Sequence, residues 1–100
     1  MAIATINPAT GEILREFMPA SEAEVTTAVD HAHAAQPAWC GVGVRQRISI
    51  LDNFRRLLYD KKSEIARLIT SETGKPQVEA LLTEVLVVLD AAEDIVGIIL

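Results

Sequence analysis

One cysteine, four aromatic residues, five glycines and four prolines are spread over 100 residues. A single thiol, Cys40, cannot close an intrachain disulfide, which excludes stapled secreted scaffolds and fits a reducing, cytoplasmic setting. So few aromatics leave a core of Leu, Ile, Val and Ala. Nine Lys and Arg against fourteen Asp and Glu give a net charge of −5, which argues against nucleic acid or an anionic membrane as a partner of the whole chain. No basic segment leading into an apolar run opens the sequence, so no secretory leader is read. Residues 78–100 approach membrane-like hydropathy. However, Glu79, Glu84, Asp90, Glu93 and Asp94 interrupt them at about 2.5–3.5 kcal/mol each near a bilayer centre.

Catalytic and ligand-binding constellations are equally thin. Gly41-Val42-Gly43 has neither a further glycine at the required spacing nor a preceding strand, so it is not a phosphate-binding turn. His31 and His33 lie about 200° apart around a helix at 100° per residue. At most one of them can face Cys40, so a thiol–imidazole pair is the minor reading, and one Cys with two poorly aligned His makes no tetrahedral metal cage. Cys40 reads as a small buried or half-buried thiol.

What remains is globular: half the residues are hydrophobic, a proportion that excludes disorder. Charge is unevenly distributed. Residues 41–75 carry eight of the nine basic residues and net +4, against −4 for residues 1–40 and −5 for residues 76–100.

Residues 3–6 and 12–18 are β candidates, joined by Asn7-Pro8-Ala9-Thr10-Gly11. In that turn Asn bonds its own backbone, Pro presets φ and Gly permits positive φ. A lone hairpin is marginal in water and must pack on something. Ser21-Glu22-Ala23-Glu24 is a capping box, and Val25, Ala28, Val29 and Ala32 follow at helical spacing; this helix should stop near Gln36, before Pro37. Gly41 and Gly43 mark a loop. Val44, Ile48, Leu51, Phe54, Leu57 and Leu58 form the apolar stripe of a second helix. Its arginines read as a solvated face able to pair with the acidic fourth helix. Asp60 should cap a third helix with Ile65, Leu68 and Ile69 inward, ending at Gly74 in the left-handed position. Pro76 then opens a fourth helix. The predicted class is mainly α: a β-hairpin over 1–20 and four helices over 21–100, as a single segment.

The fourth helix is the most informative stretch. Sixteen of residues 76–100 are apolar, and the chain ends on Ile98-Ile99-Leu100 without a cap or a basic last turn. A helix this apolar expects burial on more than one side. Glu84 stands out: on the wheel it falls among Ala80, Val88, Ala91 and Ile95. A carboxylate there needs a partner. The readings are an ion pair with an arginine of the second helix or escape to a nearby surface, a cation ligand, or a perturbed catalytic carboxylate.

Several pieces occur in a telling order. The hairpin reads Thr5-Ile6-Asn7-Pro8-Ala9-Thr10-Gly11-Glu12. A capped, Ala-rich helix ends Gln36-Pro37-Ala38-Trp39, and the Arg-rich helix follows. Then comes Ala66-Arg67-Leu68-Ile69-Thr70-Ser71-Glu72-Thr73-Gly74-Lys75-Pro76, with Glu79-Ala80 and Glu84-Val85 after it. This succession resembles the N-terminal segment of the NAD(P)-dependent aldehyde dehydrogenase superfamily. The resemblance implies a parent about five times longer, with a Rossmann-like cofactor domain to which this segment contributes. The parent would oxidise an aldehyde to a carboxylic acid through a cysteine thiolate, with NAD or NADP as hydride acceptor. In that family the nucleophile, the general base and the cofactor loops lie beyond residue 100; Cys40 does not match the nucleophile's motif, so no catalytic or cofactor-binding residue is assigned here. It also implies a monovalent cation site at the carbonyl of Thr5 or Ile6 and the carboxylate of Glu84. The expected partner is the rest of such a chain or another subunit, bound through residues 76–100 in a homo-oligomer. A stand-alone helical interaction module is the alternative.

Overall fold

A computed structural model describes the backbone of residues 1–99 and the side chains of residues 1–97. The end expected to be uncapped, Ile98-Ile99-Leu100, lies outside the described side chains. Strands β1 (Ile3–Ile6) and β2 (Ile13–Phe17) pair antiparallel from Ile3–Phe17 to Ile6–Ile13, with a register shift at Thr5/Ile6. The turn forms as its residues dictate. Asn7 Oδ1 accepts from the Ala9 amide at 2.9 Å, the Gly11 amide donates to the Asn7 carbonyl at 2.8 Å, and Gly11 takes φ 74°. No strand residue is fully buried.

Helix α1 (Glu22–Gly41) starts on the predicted box: the Glu24 amide donates to Ser21 Oγ at 3.3 Å, and the Ser21 amide donates to Glu24 Oε2 at 2.8 Å. It does not stop before Pro37. Proline removes its own amide from the ladder and crowds the carbonyl four residues back, yet with alanines on both sides the helix runs on to Gly41, where the Val42 amide closes on Trp39. No residue of α1 is buried.

Only Val42 and Gly43 separate α1 from α2 (Val44–Asp60). Asp60 is the last residue of α2 rather than a cap. Lys61 serves both helices: its amide donates to Leu57 and its carbonyl accepts from Ile65, and it precedes α3 (Lys62–Thr73) without a side-chain cap. Gly74 ends α3 at φ 74°, its amide bonded to Thr70 at 2.9 Å. Here the hairpin meets the helices: a β-carbon on Gly74 would come within 3.0 Å of Pro8 Cγ.

The fourth helix is continuous but not uniform. An α turn, α4 (Gln77–Ala80), leads into a π-helical turn (Leu81–Val85) and then α5 (Leu86–Ile99). The Leu86 amide donates to the Leu81 carbonyl, five residues back. Single π turns of this kind insert one residue into an α-helix, and the uniform wheel read from sequence does not anticipate it.

The core is small: Ile48, Ala66, Ala80, Val85 and Leu89. Of the stripe expected on α2, Ile48 is buried and Leu58 half-buried, while Val44, Leu51, Phe54 and Leu57 are exposed; on α3, Leu68 is exposed too. The molecule is a slab of 48 × 38 × 16 Å with a radius of gyration of 17.7 Å, where a compact 100-residue chain has about 13 Å. It exposes 7757 Å² at a mass of 10.9 kDa, where a compact monomer of that mass exposes roughly 5,600 Å².

Replacing Gly74 with alanine forces a side chain into left-handed backbone and against Pro8. Gly74→Ala is expected to lower the unfolding free energy by about 1–2 kcal/mol in urea denaturation; a change within experimental error would contradict the close hairpin–helix contact.

Candidate functional site

The most apolar hollow described follows from incomplete packing of α2 on α5. Leu51 and Phe54 of α2 face Val88, Ala91, Ala92 and Ile95 of α5 across an apolar hollow. A second hollow continues it, lined by Trp39, Val44, Arg47, Ile48, Leu51 and Ile95. Together they make one groove, apolar along its length, with Arg47 at one end. The Arg47 Nε is buried and has no hydrogen-bond acceptor among the described residues. A buried, unpaired N–H is costly, so this end of the groove is chemically as well as sterically unfinished.

Among the described residues the arginines of α2 make no ion pair with the acidic side chains of the fourth helix. Asp52 takes both Arg55, at 3.0 Å, and Arg56, at 2.9 Å, one turn along its own helix. The Arg55 hydrogen bond is the main reason the Asp52 carboxyl titrates below its ordinary range; partial burial opposes it, and the charges of Arg56 and Arg55 add to it. At the start of α1, the Ser21 amide and then its hydroxyl lower Glu24 in the same way. Asp90, Glu93 and Asp94 make no ion pair among the described residues, so the expected pairing between α2 and the fourth helix is not formed.

Glu84 finds a different partner. It lies in the π turn and pairs with the ammonium of Lys75 from the turn after α3. Both side chains are partly exposed, at 33% for Lys75 and 41% for Glu84. Ile6 ends β1 opposite Ile13. β1 and the π turn both pack against α3, and Lys75 holds one of the two Glu84 carboxylate oxygens. Cys40 is not a buried thiol: it is exposed in the last turn of α1. His31 and His33 are exposed on the same helix. Among the described residues no three His, Cys, Asp or Glu side chains converge on a metal position, and no helix is long and apolar enough to cross a membrane.

Comparison with known proteins gives this arrangement a context. The sequence model of the aldehyde dehydrogenase family matches residues 1–99. The chain belongs to that family. An N-succinylglutamate 5-semialdehyde dehydrogenase from Chromobacterium violaceum is 43% identical over 79 residues, which are 79% of this chain and 16% of that protein. This chain thus spans a small part of the length of the curated relative it matches. The dehydrogenase resemblance carried by the Asn7–Gly11 hairpin and the Gly74-Lys75-Pro76 turn is confirmed; the stand-alone helical module gains no support. Neither the π turn nor the Lys75–Glu84 pair is evident in the sequence as such. The one signal pointing to them is Glu84 on an otherwise apolar arc.

Asp52 has a lowered carboxyl, so its ionised form stabilises the fold. That contribution is complete above the unfolded-state value of about 3.9 and is lost as pH falls through the lower folded value. Asp52→Asn is expected to flatten the fall in melting temperature between neutral pH and pH 2. Parallel profiles for parent and variant would contradict the assignment.

Proposed function

We propose that these 100 residues act as the N-terminal part of an NAD(P)-dependent aldehyde dehydrogenase, whose reaction is oxidation of an aldehyde to a carboxylic acid. The observation that carries this reading is the family match over residues 1–99, set against the 16% of a full-length relative that the aligned stretch covers. The nicotinamide cofactor, the nucleophilic thiol and the general base belong to the rest of the family's chain. In support, the residues here do not fit a dinucleotide: neither Gly41 nor Gly43 follows a strand, and a dinucleotide-binding turn needs that context. The single thiol, Cys40, has no hydrogen-bonded base among the described residues.

The partner proposed for residues 76–100 and the α2 groove is that missing body, or a neighbouring subunit of a cytoplasmic homo-oligomer. The excess exposed surface is roughly 2,000 Å² over a compact monomer. A standard protein–protein interface takes about 800 Å² from each partner, so the cover required is on the scale of a permanent interface. An acceptor from that cover would satisfy Arg47 Nε. The cation site at the Ile6 carbonyl and Glu84 remains part of this reading, with the Lys75 ammonium on one Glu84 oxygen as a neighbouring positive charge that competes with the ion for the same carboxylate.

The test is direct. The purified chain, supplied with NAD or NADP and a panel of aldehydes, is expected to produce no reduced nicotinamide above the protein-free blank. Turnover that copurifies with the chain would overturn the assignment of the chemistry to residues outside it.

A further inference from the structure

An unbroken α-helix would place Glu84 one turn above Ala80, on the same face. Ala80 is fully buried, at 0% exposure. A carboxylate following it inward would be desolvated against α2 and α3. In the structure Val85 takes that inward place instead, at 3% exposure, and Glu84 turns to the edge, where Lys75 meets it. The substitution of one residue for the next is made possible by the π turn.

The consequence runs the length of α5. At about 100° per residue, an unbroken helix puts Val85, Leu89 and Val96 about 140–180° from Ala80, nearly the opposite face, and puts Val88, Ala91 and Ile95 within about 80° of it. Observed burial is the reverse: Leu89 is buried and Val96 half-buried, while Val88, Ala91 and Ile95 are exposed. One inserted residue turns everything downstream back by about 100°, which brings Val85, Leu89 and Val96 to about 40–80° on one side of Ala80, the buried side, and carries Val88, Ala91 and Ile95 to about 20–80° on its other side, the exposed one. The helix therefore carries two apolar stripes side by side, and the register at Leu81–Val85 chooses between them.

We propose that Glu84, held by Lys75, selects the π register and so decides which stripe packs on α2 and which lines the open groove. With a small or apolar residue at 84 the reason for the insertion disappears. The helix then runs as continuous α, with Val88 and Ile95 turned inward and Leu89 and Val96 turned out. The charge on Glu84 thus sets the side chains offered to whatever covers the groove.

The experiment uses the full chain with Cys40→Ser, so that a single introduced thiol reports. Val88→Cys and Leu89→Cys are made separately, and thiol modification rates are measured under native conditions. With Glu84 present, the Val88→Cys thiol is expected to react at least tenfold faster than the Leu89→Cys thiol. Adding Glu84→Leu is expected to equalise or invert that order. If Glu84→Leu fails to give a cooperative helical melt, Glu84→Ala decides, since alanine matches Ala80 in size and favours helix. An order unchanged from the parent in a folded Glu84→Leu or Glu84→Ala protein overturns the proposal.

Discussion

The seam between α2 and α5 holds the helical part of this chain together, and it covers only one side of each helix. Ile48 comes from α2 and Leu89 from α5, with Val85 just before it; all three are buried. Leu51, Phe54, Val88 and Ile95, on the same two helices, remain in water. Scattered exposed hydrophobics are normal on any protein. Here they are contiguous, they line a groove, and a buried guanidinium N–H at its end has no acceptor among the described residues. A slab 16 Å thick has too little depth to bury both sides of its helices. This thinness suits the proposed reading of the segment as one layer of a larger protein of the family that it matches.

The turn after α3 is the second organising point. Gly74 allows Pro8 to approach, which seats the hairpin on the helices. The next residue, Lys75, reaches across to Glu84 and anchors the π turn. Partly exposed ion pairs contribute little to stability by themselves. The importance of this one is positional: a carboxylate with a satisfactory place at the edge is kept out of the core, and the helix adjusts its winding to suit.

Local chemistry made much of the fold readable. Asn7-Pro8 through Gly11, the Ser21–Glu24 box and Gly74 each act through a few neighbouring atoms, and each appears where the residues demand it. Competition between local signals was harder to read. Pro37 predicts a stop, but alanine-rich flanks carry α1 four residues past it. Asp60 is a plausible cap, yet α2 propagates through it. Burial was least legible, because a periodic apolar stripe shows that a face wants cover without showing whether cover is present. Leu51, Phe54 and Leu68 are such cases. The candidate surface was visible as an excess of apolar residues in 76–100 and an oddly placed Glu84; the winding change that reconciles them depends on Lys75 and Ala80, which only the tertiary arrangement brings into play.

The central claim is that a folded chain leaves the groove between α2 and α5 open and apolar. Titration with the fluorescent dye 8-anilinonaphthalene-1-sulfonate, at a protein concentration where sedimentation gives a monomer, tests it most directly. The account predicts strong dye fluorescence from a protein with native helical circular dichroism, reduced severalfold by Phe54→Ser together with Ile95→Ser. A cooperatively folded monomer that leaves the dye dark would contradict it.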